Sequence, residues 1–87
     1  MASTDHSVTF YGLSTCIHCK HCREFLEQNN VPFELHYVDL AEGQEREELL
    51  EAVRGVNPQI SFPTVVIDGK KIIVGFQPEA LSKALEL

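Results

Sequence analysis

Cys16 and Cys19, in the run Cys16-Ile17-His18-Cys19, stand where an apolar stretch from Val8 to Gly12 gives way to a helical pattern. Thiols at this spacing at a helix start can close a disulfide with each other. The first of them lies among the unpaired N–H groups of the opening turn, whose partial positive charge favours a thiolate over a thiol. That is the equipment of a thiol–disulfide exchanger. In such an exchange Cys16 attacks a substrate disulfide to form a mixed disulfide, and Cys19 then attacks Cys16 and releases the reduced substrate. Cys16 takes the first role because it occupies the exposed tip of the helix, whereas Cys19 lies a turn inward on the stripe that faces the sheet.

The competing reading of the same residues is a pair of buried or metal-binding thiols. Cys16, Cys19 and Cys22 with His18 and His21 form a compact Cys/His cluster. One regular helix cannot bend all of these side chains to a single tetrahedral centre, and a structural zinc site usually draws its ligand pairs from separate segments, so no metal site within the chain is expected. Cys22 falls in the middle of the apolar stripe, where a free cysteine behaves as a small buried hydrophobe. His18 is a tuning candidate: an imidazolium beside Cys16 would stabilise its thiolate, and with it the dithiol relative to the disulfide. The plainer reading of His18 is a solvated residue at the helix start. His21 reads as surface, His6 as lead-in and His36 as solvent face.

The elements that hold this motif follow from periodicity. Residues 1–7 read as a polar, mobile lead-in and 8–87 as one domain. Val8 to Gly12 forms a strand. From Ile17 to Gln28 the pattern is helical, with Cys19, Cys22 and Leu26 on one stripe, and Asn29-Asn30 ends it. Phe33, Leu35 and Tyr37 alternate with Glu34 and His36, which predicts a half-buried strand over 33–39. A second helix opens at Gly43 and turns Leu49, Ala52, Val53 and Val56 inward, away from an acidic face of Glu45, Glu47, Glu48 and Glu51. Gly55, Asn57 and Pro58 stop it. Thr64 to Ile67 and Lys71 to Val74 flank Asp68-Gly69, a two-residue turn that predicts an antiparallel hairpin. A last helix begins at Pro78 and carries Leu81, Ala84 and Leu85 inward.

Composition narrows the functional classes. Eighty-seven residues, 44% of them hydrophobic, suit a single packed domain. The three cysteines lie between positions 16 and 22, so disulfides among them would close only tiny loops, and reactivity rather than stapling explains them. A net charge of −6 disfavours nucleic acid or an anionic membrane surface as a partner. No leader pattern opens the chain and no apolar run approaches the roughly 18 residues of a membrane span, so cytoplasmic residence is expected.

A Cys-x-x-Cys after the first strand, together with Phe62-Pro63-Thr64 leading into a hairpin, resembles the glutaredoxin branch of the thioredoxin-fold superfamily over about residues 8–87. The resemblance implies an α/β thioredoxin fold, with a four-stranded mixed sheet in the order 2-1-3-4 flanked by three helices, and a cis peptide before Pro63. It further implies that Tyr11 and Phe62-Pro63 form an apolar rim and a facing loop. Substrate would then pair in extended form with the main chain of Phe62, and Thr64 would begin the following strand. Glutathione-using members carry a lysine three residues before the first cysteine, and Gly-Gly followed by an acidic residue after the last strand. Here the first place holds Leu13 and the second reads Val74-Gly75-Phe76-Gln77-Pro78-Glu79, so glutathione recognition should be weakened. The latter segment is similar to that of the redoxins that feed ribonucleotide reductase and draw electrons from thioredoxin reductase.

The function implied is that of a dithiol oxidoreductase, reducing protein or mixed disulfides through Cys16 and Cys19. Its partners would be disulfide-containing proteins, with glutathione or thioredoxin reductase as reductant. No tightly bound cofactor is expected, glutathione is the candidate co-substrate, and the acidic second helix suggests a monomer. The alternative is a metal or iron–sulfur cluster carrier using Cys16, with the cluster bridged between two molecules as in some glutaredoxins.

Overall fold

In the computed structural model, which describes residues 6–87, the element order is strand, helix, strand, helix, hairpin and helix. Strand β1 (Val8–Gly12) sits inside the sheet, parallel to β2 (Glu34–Tyr37) and antiparallel to β3 (Thr64–Ile67), with β4 (Lys71–Val74) on the outer side of β3. The order is therefore β2-β1-β3-β4, the mixed four-stranded sheet that the resemblance implies. Its alternating side chains give the sheet two distinct faces. Phe10, in register with Val65 and through it with Ile73, faces helix α1 (Ile17–Gln28) and helix α3 (Pro78–Leu85). Cys19, Cys22 and Leu26 of α1 join Leu81, Ala84 and Leu85 of α3 in that core. Helix α2 (Gly43–Val56) is tied to the chain at the start of β3 through Asn57, its C-cap, whose side chain reaches Thr64.

Each helix boundary has a local cause. Helix α1 starts at Cys16, whose extended backbone and sulfur cap the first turn. It stops where Asn30 adopts a left-handed backbone with φ 56°, so that Val31 N–H closes on Leu26 C=O at 2.9 Å and Asn30 N–H on Glu27 C=O at 3.1 Å. Helix α3 starts with proline in its first turn, where a missing N–H costs nothing.

Three details depart from the sequence expectations. Strand β2 covers Glu34–Tyr37 rather than 33–39: Phe33 stays outside the ladder, and after Tyr37 the chain tightens into a single 3₁₀ turn, Val38–Leu40, that buries Val38. Ala52 is exposed, and α2 turns in Val53 with Leu49 and Val56 half-buried. The hairpin pairs Ile67 with Lys71 and so leaves residues 68–70 in the loop, one more than the expected two. Asp68 and Gly69 both take left-handed backbone, with φ 57° and 67°.

His6 was expected to be plain lead-in, yet its side chain is only 13% exposed. Its ring lies between the Asp68 carboxylate at 2.7 Å and that of Glu86 at 3.2 Å. Ser7 N–H donates to Asp68 at 2.9 Å, and Asp68 N–H returns to Ser7 C=O at 2.7 Å. The rest of the expected lead-in, residues 1–5, lies outside the described residues. Among the described residues no helix is long and apolar enough to cross a membrane.

Candidate active site

Strand register gathers the site at one end of the sheet. Gly12 pairs with Tyr37, Tyr11 with Thr64, and Thr64 with Val74. The segments leaving or reaching these residues, Leu13 to Cys16, Val38-Asp39, Phe62-Pro63 and Gly75-Phe76, therefore crowd the same edge. A tight turn carries Cys16 there: its N–H donates to Leu13 C=O at 3.2 Å, and its own C=O accepts from Lys20 N–H at 3.1 Å to begin the helical ladder.

Cys16 is the N-cap residue, and its Sγ accepts the N–H of Cys19 at 3.4 Å. A sulfur in that position meets a helix-end donor that stabilises negative charge. Cys19 lies behind it, only 2% exposed, with its Sγ accepting Leu13 N–H at 3.4 Å. Burial pushes the Cys19 thiol up to about 12, and the neighbouring Cys16 and Cys22 add to the effect while the Leu13 N–H opposes it. Cys22 is fully buried, and burial likewise pushes its thiol up to about 12. All three cysteines are unpaired, and only Cys16 reaches solvent to any extent. The helix thus presents an outer sulfur with a second, uncharged thiol inward of it, an arrangement whose chemistry is thiol–disulfide exchange if the two sulfurs act in turn.

The remaining candidates fall around this pair in different ways. Phe62 is half-buried against the core and joined to Pro63 by a cis peptide, as the resemblance implies. Pro63 C=O accepts Gly75 N–H at 2.8 Å, so the loop before β3 is stitched to the segment after β4. Thr64 begins β3 and is fully buried; its hydroxyl donates to Ser61 C=O at 2.7 Å and accepts from Asn57 Nδ2 at 3.2 Å. Tyr11 stacks on His36 at 5.6 Å, and strand alternation puts its side chain on the face opposite Gly12 and Cys19. His18 is exposed on the first turn of α1, and Ile17 beside it is 54% exposed. Phe76 packs its ring against His21 at 6.2 Å and Phe25 at 6.0 Å, both on α1. Among the described residues, no group of three or more His, Cys, Asp or Glu is placed to hold a metal ion.

Sequence reasoning missed three residues that shape the site. Gly12 leaves room for the second thiol: a Cβ there would stand 3.2 Å from Cys19 Sγ and 3.0 Å from the Phe10 ring. A glycine at the end of a strand that leads into Cys-x-x-Cys was the available signal. Asn57, read only as a helix stop, donates to Ser61 C=O, Ser61 Oγ and Thr64 Oγ1 and so organises the loop before Pro63. Asp39 takes both the N–H and the hydroxyl of Ser14 on its carboxylate, and nothing local to its sequence announces it.

Known proteins agree with this architecture. The sequence model of the Glutaredoxin family matches residues 8–72. An uncharacterized glutaredoxin-like 8.6 kDa protein in the rubredoxin operon of Clostridium pasteurianum is 34% identical over 80 residues, covering 91% of this chain and 97% of that protein. The glutaredoxin from Methanosarcina mazei Go1 superposes with a TM-score of 0.87 at 44% identity, over 93% of this chain and 79% of its own. The glutaredoxin-like NrdH-redoxin from Escherichia coli, described as having a thioredoxin-like activity profile, superposes at 0.72 with 25% identity, over 88% of this chain and 92% of its own. With the strand order, the hairpin and the dithiol at the helix start already in agreement, matches of this length make the chain a member of the glutaredoxin family.

Proposed function

We propose that the protein is a dithiol oxidoreductase that reduces protein or mixed disulfides. The Cys16 thiolate attacks one sulfur of a substrate disulfide; the other leaves as a thiolate and takes a proton from water. Cys19 then attacks Cys16 Sγ, the bond from Cys16 to the substrate breaks, and the departing sulfur receives the Cys19 proton. A disulfide in the substrate thus becomes two thiols, and the two electrons come from the Cys16 and Cys19 thiols, which are oxidised to a disulfide. The observation that carries this reading is the division of the pair: a half-exposed N-cap sulfur that accepts the Cys19 N–H, and a buried thiol behind it.

Reductase-coupled turnover of a model disulfide tests the proposal. Cys16→Ser should abolish turnover, and Cys19→Ser should accumulate a mixed disulfide through Cys16. Full activity of the Cys16 variant would refute it. Thioredoxin reductase should support the wild type at least as well as glutathione with its reductase, because Leu13 and the half-buried Phe76 offer no charge to a tripeptide carboxylate. A much faster glutathione-coupled rate would contradict that preference. His18, exposed two residues after Cys16, would favour the Cys16 thiolate when protonated. That form exists only in the dithiol, so His18→Ala should make the couple more reducing; an unchanged potential against a glutathione buffer would return His18 to plain surface.

A further inference from the structure

We propose that Asp39 is a positioning residue for the exchange, gripping the turn that carries Cys16 through Ser14 and so setting how Cys19 meets Cys16. The inference rests on the exchange reading above. Ser14 is the second residue of the turn closed by Cys16 N–H on Leu13 C=O at 3.2 Å. Its N–H donates to Asp39 Oδ1 at 2.9 Å and its hydroxyl donates to Oδ2, so one carboxylate engages both polar groups of one residue. Hydrogen bonds to a carboxylate are roughly twice as strong as neutral ones, and a two-point grip removes rotation as well as translation. The same two contacts, the Ser14 hydroxyl first and its N–H second, hold the Asp39 carboxyl below the ordinary carboxylate range.

Asp39 is a suitable anchor because it is fixed in turn. It lies in the 3₁₀ turn after β2, and Arg46 of α2 donates a guanidinium N–H to its C=O at 3.2 Å. Leu13, next to Ser14, makes the connection to the thiols: its C=O receives Cys16 N–H, and its N–H donates to Cys19 Sγ at 3.4 Å. Rotation at Ser14 would disturb both contacts together. The site lies 25 residues from Asp39 in sequence, so the carboxylate couples the helix start to the far end of β2 rather than to its own neighbourhood. Ser14 is exposed, which makes this grip a weak contributor to global stability and leaves its geometric effect to be read separately.

The step that should register the loss is resolution of the mixed disulfide, because intramolecular attack depends steeply on geometry; misplacement by about 1 Å can cost on the order of a hundredfold. Reduced protein is mixed with 2-hydroxyethyl disulfide, quenched with acid at intervals, and the adduct on Cys16 is followed by mass spectrometry alongside thermal unfolding. In Asp39→Ala the adduct should persist at least about fivefold longer than in wild type, with little change in melting temperature. Asp39→Asn, whose side-chain oxygen still accepts Ser14 N–H, should restore most of the rate. Ser14→Ala, which keeps the N–H half of the grip, should fall between, and Ser14→Ala with Asp39→Ala should be no slower than Asp39→Ala alone. A wild-type adduct lifetime in Asp39→Ala, or an additive slowing in the double variant, would overturn the inference while leaving the exchange reading intact. Were Asp39→Ala to unfold, a wild-type lifetime in folded Ser14→Ala would overturn it equally. Absence of any Cys16 adduct in both wild type and Cys19→Ser would instead sink the exchange reading, and this inference with it.

Discussion

Adding one methyl group at Gly12 probes whether the second thiol is held by packing. An alanine Cβ there would stand 3.0 Å from Phe10 Cε1, 3.2 Å from Cys19 Sγ and 3.4 Å from Cys19 Cβ. Neither neighbour has room to retreat, since Phe10 and Cys19 are 0% and 2% exposed. The Gly12 backbone is not among the left-handed positions, so the strain is one of space alone. Overpacking a core by a methyl group costs about 1–3 kcal/mol, and the narrower unfolded ensemble of alanine returns about 0.4–1 kcal/mol. At the middle of both ranges, about 2 and about 0.7 kcal/mol, the net loss is about 1.3 kcal/mol, which for a domain of 87 residues is a fall of roughly 5–10 °C in melting temperature. Because part of the push falls on Cys19 Sγ, exchange should slow as well. Thermal unfolding of the reduced protein and adduct-resolution kinetics measure the two effects. Repeating Gly12→Ala in a Cys19→Ala background, where the sulfur is gone, should recover part of the stability loss and leave the share due to Phe10. An unchanged or higher melting temperature with an unchanged rate would refute the packing argument.

Cys22→Ser should cost about 1–3 kcal/mol, because a hydroxyl replaces a fully buried sulfur, yet leave exchange at the wild-type rate; a folded but inactive variant would show that Cys22 takes part in the chemistry. Asn57→Ala should cost a similar amount, about 1–3 kcal/mol, and speed amide exchange in the 61–63 loop, since the Asn57 side chain donates to Ser61 and to the buried Thr64 hydroxyl; protection unchanged from wild type would contradict this. His6 titrates above its ordinary 6.5, chiefly through its hydrogen bond to Asp68. A group whose folded value is raised contributes fully below the unfolded value and loses that contribution as pH rises through the folded one. The stability advantage of wild type over His6→Gln should therefore be largest below about pH 6.5 and shrink above it, until Asp68 protonates in strong acid; an advantage that does not vary with pH would rule out this linkage.

The local elements are written in short-range pattern. The stripe Cys19, Cys22 and Leu26 is an i, i+3, i+7 pattern that only a helix can bury on one side, and all three are buried. Asp68-Gly69 tolerates left-handed backbone, and Pro78 suits a helix start; both signals lie within a few residues of the structure they create. Even the order of solvent access along the dithiol, Cys16 outside and Cys19 inside, follows from helical pitch. The 3₁₀ turn that cuts β2 short at Tyr37 had no such signature. What holds the site was decided by tertiary structure alone. Asp39 reaches Ser14 across 25 residues, Gly12 leaves space for a thiol on the next helix, and His6 meets Asp68 across 62. Periodicity records which side of an element faces inward, but not which residue of another element will stand opposite it. That depends on strand register and on the depth at which helices settle against the sheet, and both are chosen by the packing of the whole core.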